Sequence, residues 1–353
     1  MEKPQNDRRQ FFKQSSLLVG AGLTAPVSTF EILHKRRPNG PIVGHGDYRY
    51  HVDKEWGVQD SLKIPVKDCH EMVEDRKGRL ILLTNHVKNN VIIYDKSGRV
   101  LDVWGQQFPG AHGLTISEEG GEEFLYITDQ DLHQVFKTTL DGRILMTLDY
   151  PKESGVYEKA DQYKPTETAI APNGDIYVAD GYGLNYITQY NAKGEYIRHF
   201  GGKGKGDDQF DCCHGVCVDQ RDPANPVLLI TSRTKQEFKR FTLDGQYLRT
   251  TSLPGCWICR PVLRGDQLYF AVIVTESWGS YDGFVAVLDK NDRMVSAPGA
   301  SAPTYDANGQ MNKVTYDGMT FLNPHDVCVD RDENLYVPQW YSGKTYPIRL
   351  ERV

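Results

Sequence analysis

One unit recurs along this chain: a run of β-forming residues, a polar turn, a second run, a tight glycine turn, and a third run. GRLILLTNHVKNNVIIYDKSGRVLDVWG (78–105) is followed by EEFLYITDQDLHQVFKTTLDGRILMTL (122–148) and GDIYVADGYGLNYITQYNAKGEYIRHFG (174–201). PVLLITSRTKQEFKRFTLDGQYLRTTSL (226–253) repeats it, and DQLYFAVIVTESWGSYDGFVAVLDKNDRMV (266–295) does so more loosely. A short strand-like segment such as CHEMVED, AHGLTIS, PTETAIAP or HGVCVDQ precedes each unit. Four strands in roughly 40–55 residues is the period of a propeller blade. No long 3.6-residue periodicity supports an α-solenoid, and no βαβ alternation supports a parallel sheet. A sixth unit begins at Asn323 with about three strands' worth of chain, and YRYHVDKEWG (48–57) can supply the strand it lacks. The expected fold is therefore all-β: a six-bladed β-propeller of four-stranded blades, its ring closed by an N-terminal strand joining the last blade. It occupies 41–353 as one domain.

The first strand of each blade lines the channel, and the residues at that position are His70, His112, Thr166, His214, Pro261 and His325. Blades two, four and six are 120° apart in a six-fold ring, so His112, His214 and His325 are expected to aim at one axial point. Three imidazoles with an open position suit Zn2+ or another divalent transition metal. His70 is open to three roles there: a fourth ligand, a general base, or a channel-lining residue.

Residues 1–40 differ from the rest. DRRQFFKQSSLLVGAGLTAPVSTF (7–30) pairs Arg8 with Arg9 ahead of Phe12, Lys13 and a weakly apolar stretch. That order is expected of a twin-arginine export signal with a linker, which implies the export machinery as partner and a periplasmic or extracellular location. No apolar run reaches the length of a stable membrane span. A formal charge of −6 with interspersed signs argues against nucleic acid as partner. Seven cysteines, an odd number, do not read as a disulfide framework.

AHGLTI with TDQDLHQVFK, PTETAIAPNGDIYVADGYG, CHGVCVD with ITSRTK, and NPHDVCVD together resemble the NHL-type propeller of the peptidyl-α-hydroxyglycine α-amidating lyases over about 65–353. The resemblance implies His112, His214 and His325 as zinc ligands. It implies Tyr182 as the tyrosine facing the metal-bound hydroxyl, and Arg233 as an arginine able to hold a substrate carboxylate. It also implies Asp326 and the carbonyl of Leu114 as a second-ion site for structural Ca2+. The sequence departs from that family's pattern at Leu83 and Thr84, where an arginine is expected. It departs again at Gly183, which stands where the family has a cysteine, and His70 has no counterpart. The expected function is that of an exported metal-dependent lyase cleaving a C–N bond in a small or peptide-like substrate. A metal-dependent hydrolase on the same scaffold, and a non-enzymatic propeller binding a protein or glycan, are the alternatives.

Overall fold

In the computed structural model of the chain, residues 40–318 and 320–353 are described. The export-type segment expected within 1–40 lies outside these residues, Gly40 apart. Six antiparallel sheets follow one another along the chain. The first blade runs Cys69–Glu74, Leu80–Thr84, Val91–Tyr94 and Val100–Trp104. The second runs Ala111–Glu119, Glu122–Asp129, Gln134–Thr139 and Ile144–Leu148, and the third Glu167–Ile170, Ile176–Ala179, Tyr186–Tyr190 and Tyr196–Gly201. The fourth is Val216–Asp219, Val227–Ser232, Glu237–Thr242 and Tyr247–Ser252, and the fifth Val262–Arg264, Gln267–Val272, Phe284–Leu288 and Met294–Ser296. Among the described residues, no helix is long and apolar enough to cross a membrane.

The sixth sheet has five strands rather than the expected four. Cys328–Val329, Leu335–Val337 and Ile348–Arg352 come from the chain's end, and Tyr48–Asp53 pairs antiparallel with the last of them. Ile42–His45 then folds back on Tyr48–Asp53 through a two-residue turn in which Gly46 takes a positive φ of 56°. This outer hairpin also ties blade six to blade five, because Ser296 Oγ accepts from the His45 amide and donates to the Tyr48 carbonyl.

The repeated turn explains its own sequence. Asp75 Oδ1 accepts the amides of Lys77 and Arg79, and Asp95 Oδ1 those of Ser97 and Arg99. Asp289 and Asp330 do the same in blades five and six. The position after this loop needs φ > 0, met by Gly78 and Gly98 but by Asp292 (60°) and Glu333 (59°) in the looser copies.

Every neighbouring pair of blades shares an apolar core. Ile81, Leu83 and Ile93 of blade one pack on Leu114, Leu125 and Phe136 of blade two. Equivalent clusters join blades two and three, three and four, four and five, and five and six. Trp56, Met72 and Leu82 meet Cys328 and Tyr336 where blade six returns to blade one. Burial is thus nearly complete on the inner strands and relaxes outward, as in Val100–Trp104, whose middle residues face solvent. The ring holds the innermost residues of all six blades around one narrow axis.

A four-histidine centre with a tyrosine and a buried arginine

Local backbone irregularities aim the histidines. The register between the first two strands of blade one slips between Cys69 and Glu71, and in blade two between Ala111 and Leu114. His70 and His112 therefore occupy bulges, which redirect a side chain from the sheet face toward the axis. The glycine after His112 is sterically required: a Cβ on Gly113 would lie 2.5 Å from the Thr166 carbonyl oxygen. Gly215, after His214, is pressed likewise against Arg260 Cα at 2.4 Å. The recurring His-Gly pair is the trace of blades meeting backbone to backbone.

All four rings meet. His112 lies 4.7 Å from His70, 4.7 Å from His214 and 4.8 Å from His325, centroid to centroid. His70 and His214 lie 4.8 and 5.0 Å from His325. The donor nitrogens of His70, His112 and His325 fall within 4.8 Å of one another. His214 joins through its Nε2, 3.2 Å from His112 Nε2. Blade one's histidine thus stands inside the group expected from blades two, four and six.

The ring orientations are set from outside. His112 Nδ1 donates to the Thr166 carbonyl and His325 Nδ1 to the His70 carbonyl, each at 2.9 Å. Since a carbonyl can only accept, both rings carry the proton on Nδ1 and present the Nε2 lone pair to the axis. Burial lowers the pKa of all four and Arg233 adds to it, with neighbouring histidines contributing for His112, His214 and His325 and Lys67 for His70, which falls to about 3. They are neutral at ordinary pH, the state a metal requires. Both nitrogens of His70, Nδ1 of His214 and Nε2 of His325 are buried with no hydrogen-bond partner. Orphaned buried nitrogens are costly and need an explanation. A shared divalent transition metal supplies one, and an all-imidazole donor set fits it.

Tyr182 stands over this centre. Its hydroxyl is 3.3 Å from His112 Nε2 and accepts from Arg233 Nη1 at 3.1 Å. Its loop is held by Asp180, whose carboxylate accepts from the amides of Lys164 and Leu184 and from the Tyr157 hydroxyl. Gly183 cannot be a cysteine in this loop, since a Cβ would lie 2.3 Å from the Gln162 carbonyl oxygen. Enclosure pushes the Tyr182 phenol up, and the neighbouring guanidinium pulls it down.

Arg233, expected to hold a substrate carboxylate, turns its guanidinium to Tyr182. It is fully buried, and its other donors go to the Ile258 carbonyl and Cys259 Sγ. Trp278 covers it at 5.7 Å. Its charge therefore acts on the Tyr182 oxygen.

The second-ion expectation is corrected. Asp326 and the Leu114 carbonyl do come together, but around the guanidinium of Arg260. Arg260 donates Nε and Nη2 to the two Asp326 oxygens at 2.7 and 2.8 Å, and Nη1 and Nη2 to the carbonyls of Leu114 and Met72 at 2.8 and 2.9 Å. Glu71 and Glu167 approach Nη1 at 3.1 and 3.5 Å. A built-in cation fills the place assigned to Ca2+. Sequence reading missed Arg260, though an acid directly follows the axial residue in three blades (Glu71, Glu167, Asp326), and that pattern calls for a cation. All seven cysteines are free.

A cavity of about 240 Å3 opens onto this centre, lined by His70, His112, Gln130, Tyr182, Ile273, Trp278 and Trp340.

No protein-family model matches the chain. It is 38% identical over 276 residues to peptidyl-alpha-hydroxyglycine alpha-amidating lyase 1 of Drosophila melanogaster, across 72% of this chain and 47% of that protein. It thus spans about half that relative's length. It is 22% identical over 275 residues to NHL repeat-containing protein 3 of Homo sapiens, across 67% of this chain and 78% of that one. Among solved structures, a streptogramin B lyase superposes with a TM-score of 0.55 at 14% identity, across 82% of this chain and 94% of that one. That likeness concerns the fold alone.

Proposed function

Because this chain is an NHL-type six-bladed propeller related to the peptidyl-α-hydroxyglycine α-amidating lyases, we propose that it is a metal-dependent lyase that splits the C–N bond of an α-hydroxyglycine-like carbinolamide. The observation that carries this reading is the Tyr182 hydroxyl, set between His112 Nε2 and the guanidinium of Arg233 at 3.3 and 3.1 Å. His112, His325, His214 and His70 would hold the metal, which when bound would supply Lewis-acid polarisation of the substrate hydroxyl.

The chain's residues do the rest. Burial pushes the Tyr182 phenol up, and Arg233, which has no carboxylate partner among the described residues, offsets part of that push. Tyr182 takes the hydroxyl proton. The O–H electron pair becomes the new C=O bond, the C–N bond breaks, and Tyr182 returns the proton to the leaving nitrogen. The products are a primary amide and glyoxylate, and atoms and charge balance without any co-reactant. Ile273, Trp278 and Trp340 give the cavity apolar walls that limit water, which favours elimination over hydrolysis. The Arg8–Arg9 pattern supports action outside the cytoplasm.

The test is glyoxylate release from an N-acyl dipeptide ending in α-hydroxyglycine by the purified, metal-loaded chain. Turnover that depends on about one metal ion per chain is expected. Failure of the loaded protein to release glyoxylate, or failure to bind metal at all, overturns the reading. Tyr182→Phe is expected to lower kcat by about 10²–10⁴-fold while metal content stays the same. Metal analysis beside steady-state kinetics checks it, and an unchanged kcat would remove Tyr182 from the chemistry.

A further inference from the structure

Five aromatic side chains line up along one side of the cavity mouth. Trp257 meets Trp278 edge-on at 5.3 Å, Trp278 meets Trp340 at 5.9 Å, and Trp340 meets Tyr341 at 5.4 Å. Tyr341 stacks with Tyr281 at 6.0 Å. They come from three segments: the Cys256–Cys259 loop, the loop between Gln267–Val272 and Phe284–Leu288, and the turn after Leu335–Val337. All belong to blades five and six. The opposite wall, from blades one to three, is His70, His112, Gln130 and Tyr182.

Large aromatic rings normally go to the interior, as Trp56 does at 3% exposure. Here Trp278 is 45% exposed, Tyr281 47% and Tyr341 59%. Edge-on contacts at Trp278 and the Tyr281–Tyr341 stack hold the rings against one another, a preorganised surface that loses little entropy on binding. Trp278 and Trp340 line the reaction cavity itself, so the outer rings continue the site.

The cavity, at about 240 Å3, has room for about eight waters' worth of ligand. That admits the reacting two-carbon unit and its amide but little more. The residue before it extends toward the cavity mouth, where the aromatic wall outside the reacting centre lies toward blades five and six. Resting on the lyase reading above, we propose that this ridge is a specificity subsite. It takes an aromatic or large apolar side chain on the residue preceding the hydroxylated glycine, so the enzyme selects peptides by that residue.

The test compares N-acetyl-Phe-α-hydroxyglycine with N-acetyl-Ala-α-hydroxyglycine. A preference of about tenfold in kcat/KM for the Phe peptide is expected, carried mainly by KM. Trp278→Ala should collapse the ratio toward one, and Trp278→Phe should keep most of it. A wild-type ratio near one, or a ratio unchanged in folded Trp278→Ala, overturns the proposal while the lyase reading stands. The unreactive N-acetyl-Phe-Gly and N-acetyl-Ala-Gly separate the two ideas further. If neither hydroxyglycine peptide is turned over, the lyase reading falls, and tryptophan-fluorescence titration with the unreactive pair still decides the ridge. Tighter binding of the Phe member that is lost in Trp278→Ala supports it; equal or absent binding of both overturns it.

Discussion

His112→Ala is expected to release the bound metal and to lower amide formation by at least about three orders of magnitude. Loss of Lewis-acid stabilisation is worth several kcal/mol, and about 4 kcal/mol is a thousandfold in rate. Of the four histidines, this one has the greatest reach. Its ring lies within 4.8 Å of His70, His214 and His325, and it is also the ring closest to the Tyr182 hydroxyl. Its removal would open the metal's coordination and separate the proton acceptor from the reacting centre. It would also leave the Thr166 carbonyl without the imidazole N–H, at a cost of about 1–3 kcal/mol in stability. Metal content, glyoxylate release and the melting temperature should be measured together. A modestly lowered melting temperature with metal and turnover both gone is the expected result. A variant that keeps metal and turnover would show that the cluster is held together by packing alone.

How much of this was legible in the sequence depends on range. The blades could be read because each is local: strand, turn and strand lie within a few tens of residues, and the Asp75 and Asp95 turns use the same hydrogen bonds. The axial histidines could be read because the ring is periodic, so equal positions in equal units converge. His70 obeys that rule and sits among the others despite coming from an odd-numbered blade. What periodicity does not encode is contact between unequal positions. Arg260 reaches Met72 across 188 residues and Asp326 across 66, from one step before the axial proline of its blade. Reading Asp326 without Arg260 left nothing to set against the ion that the resemblance implied. The aromatic ridge was hidden for a similar reason, since Trp278 and Trp340 lie in loops of neighbouring blades that meet only when those blades pack. Arg233 was found, but its burial under Trp278 was not, because nothing in TSRTK distinguishes an enclosed guanidinium from an exposed one.

Arg260→Met is expected to be the most destabilising single change in the channel, at about 3–5 kcal/mol, the cost of stripping one partner from a buried ion cluster. Glu71, Glu167 and Asp326 are each no more than 1% exposed, and they reach the same guanidinium. Burial already pushes the Glu71 and Glu167 carboxyls up, and Arg260 is the main influence pulling them down. Methionine fills the volume but leaves the acids without a counter-charge and the carbonyls of Leu114 and Met72 without donors. The loss should extend beyond this cluster. Asp326 also accepts the Met72 amide and Glu71 the Leu114 amide, so the hub fixes the strands that carry His70, His112 and His325. Arg260→Lys keeps the charge but not the planar fork, and an intermediate loss is expected. Calcium gives the sharpest discrimination. With the guanidinium in place, millimolar Ca2+ should leave the wild-type melting temperature unmoved. In Arg260→Met, the vacated carboxylates and carbonyls form an all-oxygen set that suits that ion, and Ca2+ should restore part of the lost stability. A wild-type protein stabilised by Ca2+, or an Arg260→Met variant as stable as the parent, would show that the guanidinium is not the cation on which the centre of the ring depends.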